Sequence, residues 1–125
     1  MASTNIQKPK ITKPKKEGYL EKQSSFWKTY RKRWMVLQGH MLYSFKEEKE
    51  YDNPTEIFDL RIYNKAKKST GDGSKTGQFE LSSPNDSRIF LASSENEMKD
   101  WIKHIKLAAN SKKKSSSTSV SSKRS

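Results

Sequence analysis

Between Gly18 and Ala92, apolar and polar residues alternate in short bursts, each ended by a polar or turn-forming stretch. A period of two belongs to a strand with one buried face, because successive side chains point to opposite sides of the sheet. The bursts Gly18 to Lys22, Arg31 to Leu37, Met41 to Phe45, Glu56 to Leu60, Arg61 to Ala66, Gln78 to Leu81 and Arg88 to Ala92 predict seven strands. Gln38-Gly39-His40 predicts a tight turn, Ser69 to Gly77 a glycine-rich loop, and Ser82-Ser83-Pro84-Asn85-Asp86 a further turn. After Ala92 the period lengthens. Ser94 with Glu97 three residues on has the pattern of a capping box, and Met98, Trp101, Ile102, Ile105 and Ala109 fall on one helical face. One helix after seven strands cannot be a crossover between parallel strands, so it is expected to cover an open corner of an antiparallel barrel.

The second strand has an unusual face. Alternation places Arg31, Arg33, Met35 and Leu37 on the same side, half of it charged and half apolar. Such a row suits a barrel whose closed end is core and whose mouth holds an anion.

Composition narrows the picture. With 125 residues, only 30% of them hydrophobic, the chain has room for one domain flanked by tails. Residues 1–16 carry Lys8, Lys10, Lys13, Lys15 and Lys16 and no acid, and read as a basic flexible arm interrupted by Pro9 and Pro14. Residues 111–125, rich in serine and lysine, carry Lys112, Lys113, Lys114, Lys123 and Arg124 and no acid, and read as a disordered tail. Most of the net charge of +12 thus lies outside the domain expected at residues 17–110. Within it, Lys22, Lys28, Arg31, Arg33 and their neighbours form a block without an acid from Lys22 to Lys46, which attracts anions or serves simply as a solvated basic surface. No apolar run approaches the length needed to cross a bilayer and no secretory leader pattern is present, so membrane contact is expected to be peripheral. The absence of cysteine excludes disulfide, thiol and cysteine-ligated metal chemistry and is compatible with a reducing cytosol. His40 and His104 have no HExxH or Gly-x-Ser-x-Gly context, and no nucleophile–base pair stands out.

Taken in order, Lys16-Glu17-Gly18-Tyr19-Leu20, Trp27-Lys28-Thr29, Arg31-Lys32-Arg33-Trp34, Val36-Leu37, Leu42-Tyr43 and the late Trp101 resemble a pleckstrin homology (PH) domain over about residues 16–109. The resemblance implies a mainly β fold: a seven-stranded antiparallel barrel of two near-orthogonal sheets, capped by one C-terminal α-helix. It also implies a binding module without catalysis and without a cofactor. Within the family the chain is most similar to the cytohesin and dual-adaptor type, whose members bind 3-phosphorylated inositol lipids. The features that carry this likeness are Lys22 at the end of the first strand and, after eight intervening residues, Arg31-Lys32-Arg33 at the start of the second.

By that resemblance the headgroup-binding residues are Lys22, Lys28, Arg31, Arg33 and Ser44, in a pocket at the barrel mouth for phosphatidylinositol 3,4,5-trisphosphate or 3,4-bisphosphate. Arginine gives a phosphate a bidentate fork where lysine gives a movable point charge, and each such contact is worth about 1.5–3 kcal/mol. The plain reading of Lys22 and Arg33 is strand-end surface, and that of Lys28 a solvated loop lysine. Ser44 stands where the similar members have a tyrosine, while Tyr43, one residue earlier, faces the other way. Pro54-Thr55 lacks the arginine often found there, and Glu47, Glu48, Glu50 and Asp52 precede it. Phe26 and Trp27 are candidates for a loop that inserts into the membrane interface, or Trp27 folds back onto the barrel.

The expected partners are phosphoinositide lipids and an anionic membrane surface, with a protein partner also possible and no specific nucleic acid. The expected state is a cytoplasmic monomer recruited peripherally to the plasma membrane. The alternative is a protein-interaction module of the same fold, or a general acidic-lipid binder with 4,5-bisphosphate preference or none.

Overall fold

The computed structural model describes residues 9–24 and 29–118, with side chains as far as Ser111 in the last helix. Seven strands precede one helix: β1 (Lys16–Gln23), β2 (Tyr30–Gln38), β3 (Met41–Phe45), β4 (Glu56–Asp59), β5 (Lys65–Lys68), β6 (Gln78–Ser82), β7 (Ser87–Leu91) and α1 (Glu95–Thr118). All pairings are antiparallel, in the order β4-β3-β2-β1-β7-β6-β5. The β1–β7 ladder holds only Glu21 opposite Leu91 and Lys22 opposite Phe90, a narrow corner between a four-stranded wing and a three-stranded one. The sheet is open between its edge strands β4 and β5, and α1 packs on β5 and β6.

Cross-strand partners share a face, so the register defines the interior. Leu20, Met35, Leu37, Leu42, Phe58, Phe79, Leu81 and Phe90 form one inward cluster, joined from α1 by Met98, Trp101, Ile105, Ala108 and Ala109. Trp101 has no exposed surface, as expected of a large ring in the middle of a covering helix. Ser94 caps α1 through its hydroxyl, which accepts from the Glu97 N–H at 3.1 Å. The Glu97 carboxylate does not reach back to close the box. It meets Lys16 Nζ at 3.2 Å, and Asp100 meets the same ammonium at 2.8 Å, so the first residue of β1 is clamped to the helix.

Three further expectations change. The segment Arg61 to Ala66 is not a strand from its start: Asp59 O accepts from the N–H groups of Ile62 and Tyr63, and its carboxylate takes the Arg61 N–H and guanidinium. An aspartate that satisfies the following backbone turns the chain, and β5 begins only at Lys65. The basic arm is held from Lys10 onward, because Gln38 donates to Lys10 O at 2.9 Å and its Oε1 accepts from the N–H groups of Thr12 and Lys13. The third change is at the helix end, where α1 passes residue 110 and runs to Thr118. Residues 111–118 contain neither glycine nor proline, and adding residues to an existing helix is far easier than nucleating one.

The outer face of β2 and β3 carries a second, smaller core. Val36 and Phe45 are fully buried although they alternate away from the interior. The β3–β4 loop lays Tyr51 edge-on against Phe45 at 5.4 Å, and the Tyr51 hydroxyl donates to Glu17 Oε1 at 2.5 Å, which also accepts from Trp34 Nε1 at 3.1 Å. Burial, and then the Glu17 hydrogen bond, push the Tyr51 hydroxyl up to about 12.

Trp101→Ala is expected to cost about 3–5 kcal/mol, read by urea denaturation. Gly77 has φ +86°, and a Cβ there would lie 2.8 Å from Ala92 O, whereas Gly39, at φ +62°, has nothing within 4 Å. Gly77→Ala should therefore destabilise clearly more than Gly39→Ala, which meets only the left-handed backbone cost of about 1–2 kcal/mol; equal losses would show that the Ala92 carbonyl gives way.

Candidate functional site

At the end of the barrel away from the β2–β3 turn, the inward rows change from apolar to charged. On β1 Leu20 gives way to Lys22, on β2 Met35 to Arg33 and then Arg31, on β4 Phe58 to Glu56, and on β7 Phe90 to Arg88. The register brings these positions together: Lys22 faces Arg31, Leu20 faces Arg33, Met35 faces Ser44, and Ser44 faces Glu56. Four cations thus line one opening, supplied by three strands. Each is there because the pleat returns every second side chain to the same face.

Their surroundings differ. Lys22 Nζ lies 2.8 Å from Glu56 Oε1, and Arg88 Nη1 lies 2.5 Å from Glu56 Oε2. The other edge of the Arg88 guanidinium donates through Nε to Asp86 Oδ2 at 2.9 Å, which also accepts from the Tyr63 hydroxyl at 2.5 Å. Burial pushes the Glu56 carboxyl up, but hydrogen bonds from Lys22 and Arg88 outweigh it and hold the group below the usual carboxylate range. Hydrogen bonds from Tyr63 and then Arg88 lower Asp86 in the same way. Both acids are therefore ionised at neutral pH.

Arg31 and Arg33 make no ion pair among the described residues. Arg31 is exposed. Arg33 is half-buried: its Nη1 donates to Lys32 O at 3.1 Å, while its buried Nε has no acceptor among the described residues. A buried guanidinium donor left without an acceptor is costly.

Of the residues singled out in the sequence, Lys22, Arg31 and Arg33 are brought together at this opening. Ser44 lies on the same inward row with no exposed surface, and its hydroxyl accepts from Thr55 Oγ1 at 3.0 Å. Lys28, Phe26 and Trp27 lie outside the described residues. Sequence reasoning missed Arg88 and Glu56. Each sits two residues from a buried phenylalanine, Phe90 and Phe58, so the same alternation that selected Arg33 from Met35 would have selected them.

Four likenesses bear on kinship. Rho GTPase-activating protein 24 of Homo sapiens is 33% identical over 100 residues, covering 71% of this chain and 13% of that protein, so the chain spans only a small part of such relatives. The solution structure of the pleckstrin homology domain of human KIAA0053 protein superposes with a TM-score of 0.68 at 28% identity, covering 82% of this chain and 93% of that one. The Slm1-PH domain, solved in complex with phosphoserine, gives a TM-score of 0.68 at 25% identity, covering 78% and 96%. A family model described as "PH domain" matches residues 14–110, nearly the whole span from the arm's last residues to the buried end of α1, and the chain belongs to the PH domain family.

Proposed function

We propose that this domain binds the phosphorylated headgroup of an inositol lipid at the barrel mouth, favours a 3-phosphorylated form, and thereby brings the chain that carries it from the cytoplasm to the plasma membrane. The observation that carries the reading is the pair Arg31 and Arg33, which lie on the inward row of β2 without an ion pair among the described residues, with Lys22 opposite Arg31. Two guanidinium groups and an ammonium around one cleft match a ligand with several phosphates, because each phosphate accepts charge-assisted hydrogen bonds from more than one donor. The Slm1 domain, described with phosphoserine, is a precedent at 25% identity for a phosphate-bearing ligand on this fold.

Preference for a 3-phosphate rests on the spacing of Lys22 and Arg31-Lys32-Arg33, as in the cytohesin and dual-adaptor type. Lys28, in the loop that joins β1 and β2, is the next candidate contact, and Phe26 and Trp27 are placed by sequence to enter the interface beside it. The enclosed Ser44 hydroxyl contributes through Thr55, which it ties to the pocket wall, rather than through an open face. Lys112, Lys113 and Lys114, carried on the extension of α1, add unselective attraction to anionic lipid.

Calorimetric titration with inositol 1,3,4,5-tetrakisphosphate and inositol 1,4,5-trisphosphate at physiological salt tests the proposal. Tight binding of the first and weak binding of the second is the expected result, and equal, weak binding of both would overturn the 3-phosphate preference. Arg33→Glu should reduce tetrakisphosphate affinity by more than about 100-fold, since it removes a contact worth about 1.5–3 kcal/mol and adds repulsion. Because Arg33 has no ion pair to lose, the melting temperature should stay nearly unchanged; a large drop would make Arg33 a structural residue instead.

A further inference from the structure

We infer that Glu56 is a tethered occupant of the mouth, a carboxylate that holds Lys22 and Arg88 where a ligand phosphate would and so sets how much headgroup charge is needed to enter. The inference rests on the phosphate-binding reading above and adds to it a residue that decides affinity and selectivity.

The geometry divides the four cations into two pairs. Arg31 and Arg33 are on β2 and have no acidic partner among the described residues. Lys22 on β1 and Arg88 on β7 belong to different wings of the sheet, and Glu56, reaching from edge strand β4, meets one with each oxygen at 2.8 and 2.5 Å. Two oxygens on one carbon, split between an ammonium and a guanidinium, are the arrangement a phosphate makes with the same groups. The carboxylate differs in carrying a single charge and in being tied to the chain.

A tethered competitor acts at a high effective concentration and does not dilute away. A headgroup with one phosphate can settle on Arg31 and Arg33 without disturbing it. A second phosphate on the Lys22 side must lie against a carboxylate or displace it. The apparent affinity is then the intrinsic affinity reduced by the fraction of molecules in which Glu56 has let go. Headgroups with more phosphates gain enough from both seats to offset the displacement, and those with fewer do not. The ion pairs are only about a quarter exposed, with relative side-chain exposures of 17% for Lys22, 27% for Arg88 and 29% for Glu56, so salt screens them less than it screens surface charges.

The experiment is titration of the full chain, and of its Glu56→Gln and Glu56→Asp variants, with inositol 1,3,4,5-tetrakisphosphate, inositol 1,4,5-trisphosphate and inorganic phosphate, alongside thermal unfolding with and without ligand. Gln keeps the shape and removes the charge, and is expected to bind the tetrakisphosphate at least tenfold more tightly and to narrow its advantage over the trisphosphate. Asp keeps the charge but is one methylene too short to span both cations, so an intermediate gain is expected. Should the Gln variant fail to fold, the Asp variant decides. Folded variants that bind as the wild type does, or more weakly, would overturn the inference and make Glu56 a structural brace, while leaving the proposed function standing. If no form of the chain binds either inositol phosphate more tightly than inorganic phosphate, the proposed function itself falls, and this inference with it.

Discussion

In a pleated strand the inward side chains are two residues apart, so the order of residues along an inward row is also the order of depth in the barrel. The row on β2 runs Leu37, Met35, Arg33, Arg31, from fully buried to exposed. Those on β1, β4 and β7 make the same change in one step, at Lys22, Glu56 and Arg88. Strand pairing gathers the four changes at one end of the barrel, staggered from strand to strand as Leu20 faces Arg33 and Lys22 faces Phe90, and that grouping separates a dry end from a charged one. A slip of one residue in the β1–β2 ladder would turn a whole inward row, apolar and charged residues alike, to the outer face, so the register of the core and the existence of the site are one constraint.

The dry end is made by α1, and the clamp on Lys16 shows how. Its ammonium lies between Glu97 and Asp100 and 5.0 Å above the Trp101 ring, so charge and aromatic burial fasten the same turn of helix to the start of β1. The outer face of β2 and β3 is sealed separately, by the Tyr51 ring over Phe45 and the shared Glu17 acceptor. With these faces closed, the mouth presents clustered cations with fewer acids than cations. Glu56 and Asp86 balance Lys22 and Arg88 and leave Arg31 and Arg33 as the uncompensated charge. Such a surplus leaves charge-assisted donors that no carboxylate of the described chain has already taken.

Much of this was legible in the sequence. The seven strands, the single helix, the inward row of β2 and the core role of Trp101 all follow from local period and side-chain type, and local period survives folding when each strand has one buried face. The boundaries that moved did so for reasons of particular chemistry: Asp59 satisfying the backbone after it, Gln38 capturing three groups of the N-terminal arm, and a lysine–serine stretch with nothing to stop a helix. The last is the most instructive, since a segment with too little apolar surface to fold by itself still extends a helix that packing has already formed.

The sequence by itself determined which residues face inward and which of those are charged, because that is a matter of a two-residue repeat written locally along each strand. Only the tertiary structure decided that Glu56, 34 residues after Lys22 and 32 before Arg88, would stand between them, and that Arg31 and Arg33 would be left without a counter-charge among the described residues. Ion pairs across a barrel depend on which strands become neighbours and on how far each side chain reaches, and no local pattern records either.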